Sequence, residues 1–169
     1  MAFLMDYYTA IAEGYNQLHE QEQLAKLNIL LQHVRFSGAI LDVGAGTCVV
    51  ARHLSQYATC ISTDPSETML QKGIGERYVA MAERLPFADT TFDGVVSLTA
   101  LHHCDIAKAL HEIKRVAKPD APIAISFLRH SPQLKIFEEI FKHFFSPYKK
   151  IDANQDILFI SQQSIKQAK

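Results

Sequence analysis

Short apolar runs and helically spaced apolar stripes alternate along this chain. Runs at 39–43, 59–64, 78–81, 92–99 and 122–127 are short, rich in apolar residues and bounded by turn residues. Such runs read as strands buried on both faces, as in a parallel sheet. Between them, Leu24, Leu27, Leu31 and Val34 recur at helical spacing until Gly38 stops the run. A second helix is expected from about Thr47 through Leu54 to Tyr57. Asp64-Pro65-Ser66-Glu67 opens a third through Met69 and Leu70, broken by Gly73 and Gly75. Ile106, Ala109, Leu110, Ile113 and Val116 form one face of a fourth, ended by Lys118-Pro119-Asp120. Ser131 as N-cap and Pro132 at the first helical position predict a fifth, lined by Leu134, Phe137, Phe141 and Phe144. Residues 83–89 read as loop. Segments 148–152 and 156–161 form a hairpin turning at Ala153-Asn154-Gln155.

Strands alternating with helices predict an α/β fold, an open and mostly parallel sheet covered on both faces. The hairpin connection is too short for a crossover, so it must add an antiparallel strand. Ligands of such sheets bind beyond the carboxyl ends of the strands, at the point where strand order reverses. Asp42, Asp64, Glu83 and Thr99 all fall at those ends.

Composition narrows the class. The 169 residues suit one domain with a substantial core. The formal net charge of −1 gives no global field for nucleic acid or a membrane surface. Cys48, Cys60 and Cys104 have no paired spacing, which fits a reducing, cytoplasmic setting. The first residues lack a basic region followed by an apolar stretch, so no signal peptide is expected. No run approaches the roughly 20 apolar residues needed to span a bilayer.

The phrase Ile40-Leu41-Asp42-Val43-Gly44-Ala45-Gly46-Thr47 carries the most chemistry. It is a strand ending in an acid, a glycine turn, and a helix start. A dinucleotide site places pyrophosphate on the N–H groups of such a turn. Asp42, two residues before the first glycine, would repel that anion. It suits a cofactor bearing positive charge there, such as the ammonium and sulfonium of S-adenosylmethionine (SAM). No Lys or Arg lies in the turn, and Val49 stands where the dinucleotide fingerprint wants a third small residue. Asp64 lies where an acid takes ribose hydroxyls, and Glu83 follows the third apolar run.

Together with Ala82-Glu83-Arg84-Leu85-Pro86-Phe87, Phe92-Asp93-Gly94-Val95-Val96-Ser97, Leu101-His102-His103 and Glu112-Ile113-Lys114-Arg115-Val116-Ala117-Lys118-Pro119, these stretches resemble class I SAM-dependent methyltransferases of the small type-11 group, which includes quinone-biosynthesis methyltransferases. The resemblance covers nearly the whole chain. It implies a Rossmann-like three-layer α/β/α sandwich, seven-stranded, with one antiparallel strand from the C-terminal hairpin. It also implies a single domain over 1–169, with 1–37 as a helical lid segment and 38–169 as the core.

The resemblance assigns roles. Gly44, Ala45 and Gly46 pass under the methionine part of SAM, and Asp42 faces its amino group. Asp64 holds the ribose, Pro65 and Met69 pack on adenosine, and Ala82 and Glu83 border adenine. Thr99 and Leu101 lie beside the sulfonium. Tyr8 and Tyr15 belong to a segment resembling the family's aromatic lid. His102 and Tyr15 are the candidate catalytic residues. Two departures stand out: Cys48 occupies a position where the family often has glycine, and the insertions many relatives use to enclose substrate are missing.

Each residue also has a structural reading. The glycines serve a tight turn, Asp64 caps a helix, Glu83 is a solvated acid, His102 starts a helix, and Tyr15 packs in a core. His102, His103, Cys104 and His111 match no common zinc spacing, and no metal is expected. The expected activity is methyl transfer from SAM to a small-molecule acceptor, with S-adenosylhomocysteine as the product. The alternatives are an RNA or protein methyltransferase needing a small partner subunit, a homodimer, and a non-catalytic SAM-binding protein.

Overall fold

A computed structural model describes residues 19–161. Helix α1 takes in 19–31, and Tyr8 and Tyr15 lie outside the described residues. The elements that follow are β1 (Gly38–Val43), α2 (Val49–Leu54), β2 (Ala58–Asp64), α3 (Glu67–Gln71), β3 (Glu76–Val79), β4 (Gly94–Leu98), a 3-10 turn at Leu101–His103, α4 (Ile106–Val116), β5 (Ile123–Leu128), α5 (Leu134–Phe145), β6 (Tyr148–Ala153) and β7 (Asp156–Ser161).

The seven strands form one sheet in the order β3-β2-β1-β4-β5-β7-β6. Strands β1 to β5 run parallel, and β7 is antiparallel to both neighbours. Its insertion leaves β6 pointing the same way as the first five. Strand order reverses between β1 and β4, so the loops after these two strands part to form the crevice.

Two cores cover the two faces of the sheet. On one, Leu27 and Leu30 of α1, Val50 and Leu54 of α2, and Leu70 of α3 pack on Ile40, Val96, Ala124, Leu158 and Ile160. On the other, the apolar stripe of α4 and Phe137, Phe141 and Phe145 of α5 pack on Leu41, Val95, Ile125, Phe127 and Phe159. Residues alternating along each strand therefore feed opposite faces, as the pleat requires. In the second core Phe127 stacks on Phe137 at 4.3 Å between centroids, and Phe159 meets both Phe137 and Phe141.

Helix α4 and the hairpin have the predicted bounds to within a residue or two, and Asp105 caps α4 by accepting from Lys108 N. Other boundaries move, each for a local reason. Strand β3 lies two residues earlier than expected, because its register with β2 ends at Asp64↔Val79. Its four residues are all exposed on the sheet edge, which tolerates the charged Glu76 and Arg77. Strand β4 begins at Gly94 because Phe92 N bonds Val116 O, and Phe92 O accepts from Lys118 N, tying Phe92 to the end of α4. Helix α5 begins at Leu134, not Pro132, because Ser131 Oγ accepts from Gln133 N and closes a separate turn first. Helix α2 is shorter at both ends than the expected 47–57. In α1 the buried face runs through Gln23, Lys26, Leu27 and Leu30, continued by Val34 just beyond the helix, whereas Leu24 and Leu31 are only partly covered.

Candidate functional site

The crevice begins with the turn after β1. Gly44 takes φ 71°, in the left-handed region that glycine enters without steric cost. A Cβ there would lie 2.2 Å from Ala100 Cβ, so a side chain is excluded by space as well. The turn folds toward β2. Gly44 N and Ala45 N both donate to Thr63 O, at 2.8 and 2.9 Å. Gly46 N donates to Asp64 Oδ2 at 2.8 Å, and Cys48 N to Ala45 O at 2.8 Å. These four donors are therefore committed to the protein, which argues against a phosphate seat at this turn.

Cys48 adopts φ 62° as N-cap of α2, without a side-chain cap. The glycine expected at this position thus has a conformational reason, and cysteine accepts the strain. Space for its sulfur comes from Gly73, where a Cβ would come within 2.3 Å of Cys48 Sγ.

Asp64, at the end of β2, holds the turn from below. Besides Gly46 N, it accepts from Ser66 N at 2.8 Å through Oδ1. Burial pushes its carboxyl pKa up, while the two backbone donors pull it down. Pro65 is half-buried beside it. Met69, whose N–H is capped by Ser66 Oγ, is buried.

Asp42 is 1% exposed, and its Oδ2 has no hydrogen-bond partner among the described residues. Burial first, then the charge of Asp64, pushes its pKa up to about 8. Gln23 of α1 and Asp42 line a small recess with Gly44, Ala45, Val49, Val50 and Leu98. Gln23 Oε1 is a second buried acceptor without a partner. Two orphaned acceptors at one recess, one of them an acid, are matched by a ligand that brings N–H donors and positive charge. That is the chemistry of the SAM ammonium.

The loop after β3 is fixed from α4. Glu112 accepts from Leu85 N at 2.9 Å and from Arg115, and Arg115 donates to Leu85 O, Phe87 O and Asp89. This clamp sets Ala82, which is buried, and Glu83. Glu83 Oε1 accepts from Asp105 N at 2.9 Å, while Oε2 is buried without a partner.

At the end of β4, Thr99 takes φ 55° and its hydroxyl donates to Asp156 Oδ2 at 2.6 Å. Lys26 Nζ donates to Thr99 Oγ1 at 2.6 Å and pairs with Asp156 at 3.2 Å and Glu22 at 2.9 Å. Ser126 Oγ also donates to Asp156 Oδ2, at 2.7 Å. Thr99 is thus the end of a buried network rather than a free hydroxyl. Leu101 is fully buried in the core under α4 and α5.

His102 stands at the head of the α4 connection, its ring 3.9 Å from that of His103. Beyond it lies a cavity of about 510 Å3, lined by His102, His103, Leu128, His130, Ser131, Pro132, Gln133 and Gln155. It sits over the carboxyl ends of β4 and β5 and the β6–β7 turn. Burial, the neighbouring His103 and Lys26 push the His102 pKa down to about 4 against a smaller upward pull from Asp156. Among the described residues, no cluster of His, Cys, Asp or Glu is arranged to hold a metal ion, and no helix is long and apolar enough to cross a membrane.

The structure therefore brings Asp42, Gly44, Ala45, Gly46, Asp64, Pro65 and Met69 together around one end of the crevice, with Ala82 and Glu83 on the adjoining loop. Gln23, Lys26, Ser126 and Asp156 escaped the sequence reading. Their only local signal is a polar residue on the apolar phase of a helix or strand.

A family model described as a methyltransferase domain, type 11, matches residues 41–125. Demethylmenaquinone methyltransferase of Mycolicibacterium paratuberculosis is 33% identical over 110 residues, covering 62% of this chain and 47% of that protein. The chain spans about half the length of the curated relatives it matches. Among solved structures, a SAM-dependent methyltransferase of Methanococcus maripaludis aligns at TM-score 0.78 with 14% identity, covering 96% of this chain and 94% of the other. A methyltransferase of Haloferax volcanii, in complex with its Trm112 activator, aligns at TM-score 0.73 with 19% identity, covering 86% and 77%. At these identities the two structures speak for the fold. With the matched domain, the committed N–H groups of the turn and the orphaned acids above it, the chain belongs to the type-11 family of class I SAM-dependent methyltransferases.

Proposed function

We propose that this chain transfers the methyl group of SAM to a small molecule seated in the histidine-lined cavity, in the cytoplasm. The observation that carries the reading is that cavity. Its volume of about 510 Å3 is in the range of small-molecule sites. Its position, over β4, β5 and β7, adjoins the acid-rich end of the crevice over β2, β1 and β4.

Asp42 and Gln23 would hold the ammonium, Asp64 the ribose, and Met69, Pro65, Ala82 and Glu83 the adenosine. Bound SAM supplies a methyl group already activated by its sulfonium. The protein's part is then alignment, which is worth on the order of 7–11 kcal/mol for a well-oriented pair. His102, in the cavity wall, is the candidate base for an acceptor that must lose a proton.

The test is incubation of the purified chain with methyl-labelled SAM and cell extract. Label should enter the small-molecule fraction and disappear with Asp64→Ala. Label confined to RNA or protein would refute the small-molecule acceptor.

A second reading has the chain working with a small partner subunit, as the Haloferax volcanii neighbour does with its activator. It is favoured by the edge strand β3. Tyr57, Ile74, Tyr78 and Val79 are 67, 47, 40 and 58% exposed at or near that edge, and among the described residues the outer side of β3 has no strand partner. A subunit that adds an apolar strand there would cover them. Stoichiometric co-purification of a second chain, lost in Val79→Lys, would support it.

A further inference from the structure

Two polar residues stand on the buried face of α1, and each meets a different part of the sheet. Gln23 is 9% exposed and lines the recess beside Asp42, with its Oε1 unpartnered among the described residues. Lys26, three residues on, lies on the same face of the helix. Its side chain is 3% exposed, and Nζ meets three acceptors: Thr99 Oγ1 at 2.6 Å, Glu22 Oε1 at 2.9 Å and Asp156 Oδ2 at 3.2 Å. A lysine ammonium has three donors, so Lys26 keeps none for a ligand. Thr99 follows β4, Asp156 opens β7, and Ser126 Oγ of β5 donates to the same Asp156 oxygen at 2.7 Å. One head group therefore ties α1 to three strands at the carboxyl edge.

The recess that Gln23 lines is small. Its volume is about 20 Å3, room for one group the size of a water molecule or an ammonium. Val49, Val50 and Leu98 make its wall apolar. Its orphaned side-chain acceptors are Gln23 Oε1 and Asp42 Oδ2. One belongs to the helix and the other to β1, so a shift of α1 over the sheet would part them.

We propose that Lys26 is a positioning residue for the cofactor's amino group: by anchoring α1 to Asp156 and Thr99, it keeps Gln23 in the recess with Asp42, where the two orphaned oxygens receive an ammonium. This rests on the methyltransferase reading given above and adds what holds its ammonium seat together. The anchor acts on the amino group and not on the adenosine, which sits against other elements. With Lys26 and Asp156 engaged with each other, the cavity beside them, whose described lining holds no carboxylate, lysine or arginine, is left to an uncharged acceptor.

The experiment titrates the full chain, by calorimetry, with S-adenosylhomocysteine and with its analogue lacking only the α-amino group. The wild type should bind the first more tightly, by about tenfold or more. Lys26→Met alone leaves a buried carboxylate without its cation and is strongly destabilising. The pair is therefore removed together, as Lys26→Met with Asp156→Asn. Lys26→Arg serves as a second variant, which keeps the charge and displaces the anchor. In both, affinity for S-adenosylhomocysteine should fall by about tenfold, while affinity for the deamino analogue stays as it was. Gln23→Leu should give the same pattern, and adding it to the paired variant should cause no further loss.

Equal weakening of the two ligands would make Lys26 merely structural and overturn the proposal. Losses that add, or an unchanged affinity for S-adenosylhomocysteine, would overturn it as well. A wild type without preference between the ligands would overturn the ammonium seat. A wild type that binds neither would refute the methyltransferase reading itself.

Discussion

The two halves of the carboxyl edge are built on opposite electrostatic plans. Over β2, β1 and β4 stand the acids Asp42, Asp64 and Glu83, none of them in an ion pair among the described residues, and two of them keep an oxygen without a partner there. Over β4, β5 and β7, the buried acid Asp156 already has Lys26 and two hydroxyls, and three of the residues lining the cavity are histidines. The first half is thus incomplete until a positive ligand arrives. The second has its buried acid already paired with Lys26, and on the proposed reading it accepts an uncharged one. A buried carboxylate without a partner is costly, so the excess of acid in one half marks where binding free energy is to be gained.

The largest expected effect concerns pH. With the Asp42 pKa raised to about 8, the ligand-free site holds a proton at neutral pH that an ammonium must displace. SAM affinity should rise by about tenfold per pH unit below that point, levelling near pH 8, where an α-ammonium loses its own proton. Calorimetry in buffers of different ionisation enthalpy should show proton release on binding. Uptake, or no exchange, would break the contrast between the halves. The same linkage acts on folding. The folded state binds this proton more tightly than the unfolded state, so its contribution to stability is present below the unfolded pKa and lost as pH rises toward 8.

Next comes Asp64→Ala, which removes the acceptor for Gly46 N and Ser66 N and, on the proposed reading, a ribose contact. A loss of about 2–3 kcal/mol in SAM binding is expected, with the histidine cavity unchanged. Titration with S-adenosylhomocysteine checks it. Asp42→Asn sharpens the same point from the other side. It should weaken SAM by about 1.5–3 kcal/mol while raising the melting temperature of the ligand-free protein, since the amide is neutral without the proton that Asp42 must take up on folding. A lower melting temperature would show that Asp42 has a partner in the folded protein after all.

The smallest expected effect is Arg115→Ala, which releases the loop bearing Ala82 and Glu83 from α4. The pair is partly exposed, so about 1 kcal/mol of stability is expected, with a modest rise in the SAM dissociation constant. Denaturant unfolding and calorimetry on the same sample separate the two.

The first half was legible in the sequence because its chemistry is local. Each acid closes an apolar run, and the glycines follow one of them within four residues. The sheet was legible for the same reason, and α4 because five apolar residues share one phase. Strand β3 was misplaced because its exposed edge lets Glu76 and Arg77 sit in a strand. The second half was hidden. Lys26 occupies an apolar phase of α1, and its partner Asp156 is 130 residues further on, so no window contains both. In α1 itself, leucine spacing pointed to Leu24 and Leu31, but the buried phase is set by Gln23 and Lys26. Polar residues are placed there by partners that only the folded chain supplies.

Helix α1 carries a consequence for the order of events. Gln23 reaches the recess beside Asp42, and Lys26, less than one turn later, braces Asp156 behind the cavity. One helix thus lines the proposed SAM recess and braces a residue behind the proposed acceptor cavity. On the proposed reading, a ligand that engages Gln23 would steady the wall of the acceptor cavity, and a departing one would loosen it. Steady-state kinetics should therefore be sequential, with SAM adding first and S-adenosylhomocysteine leaving last.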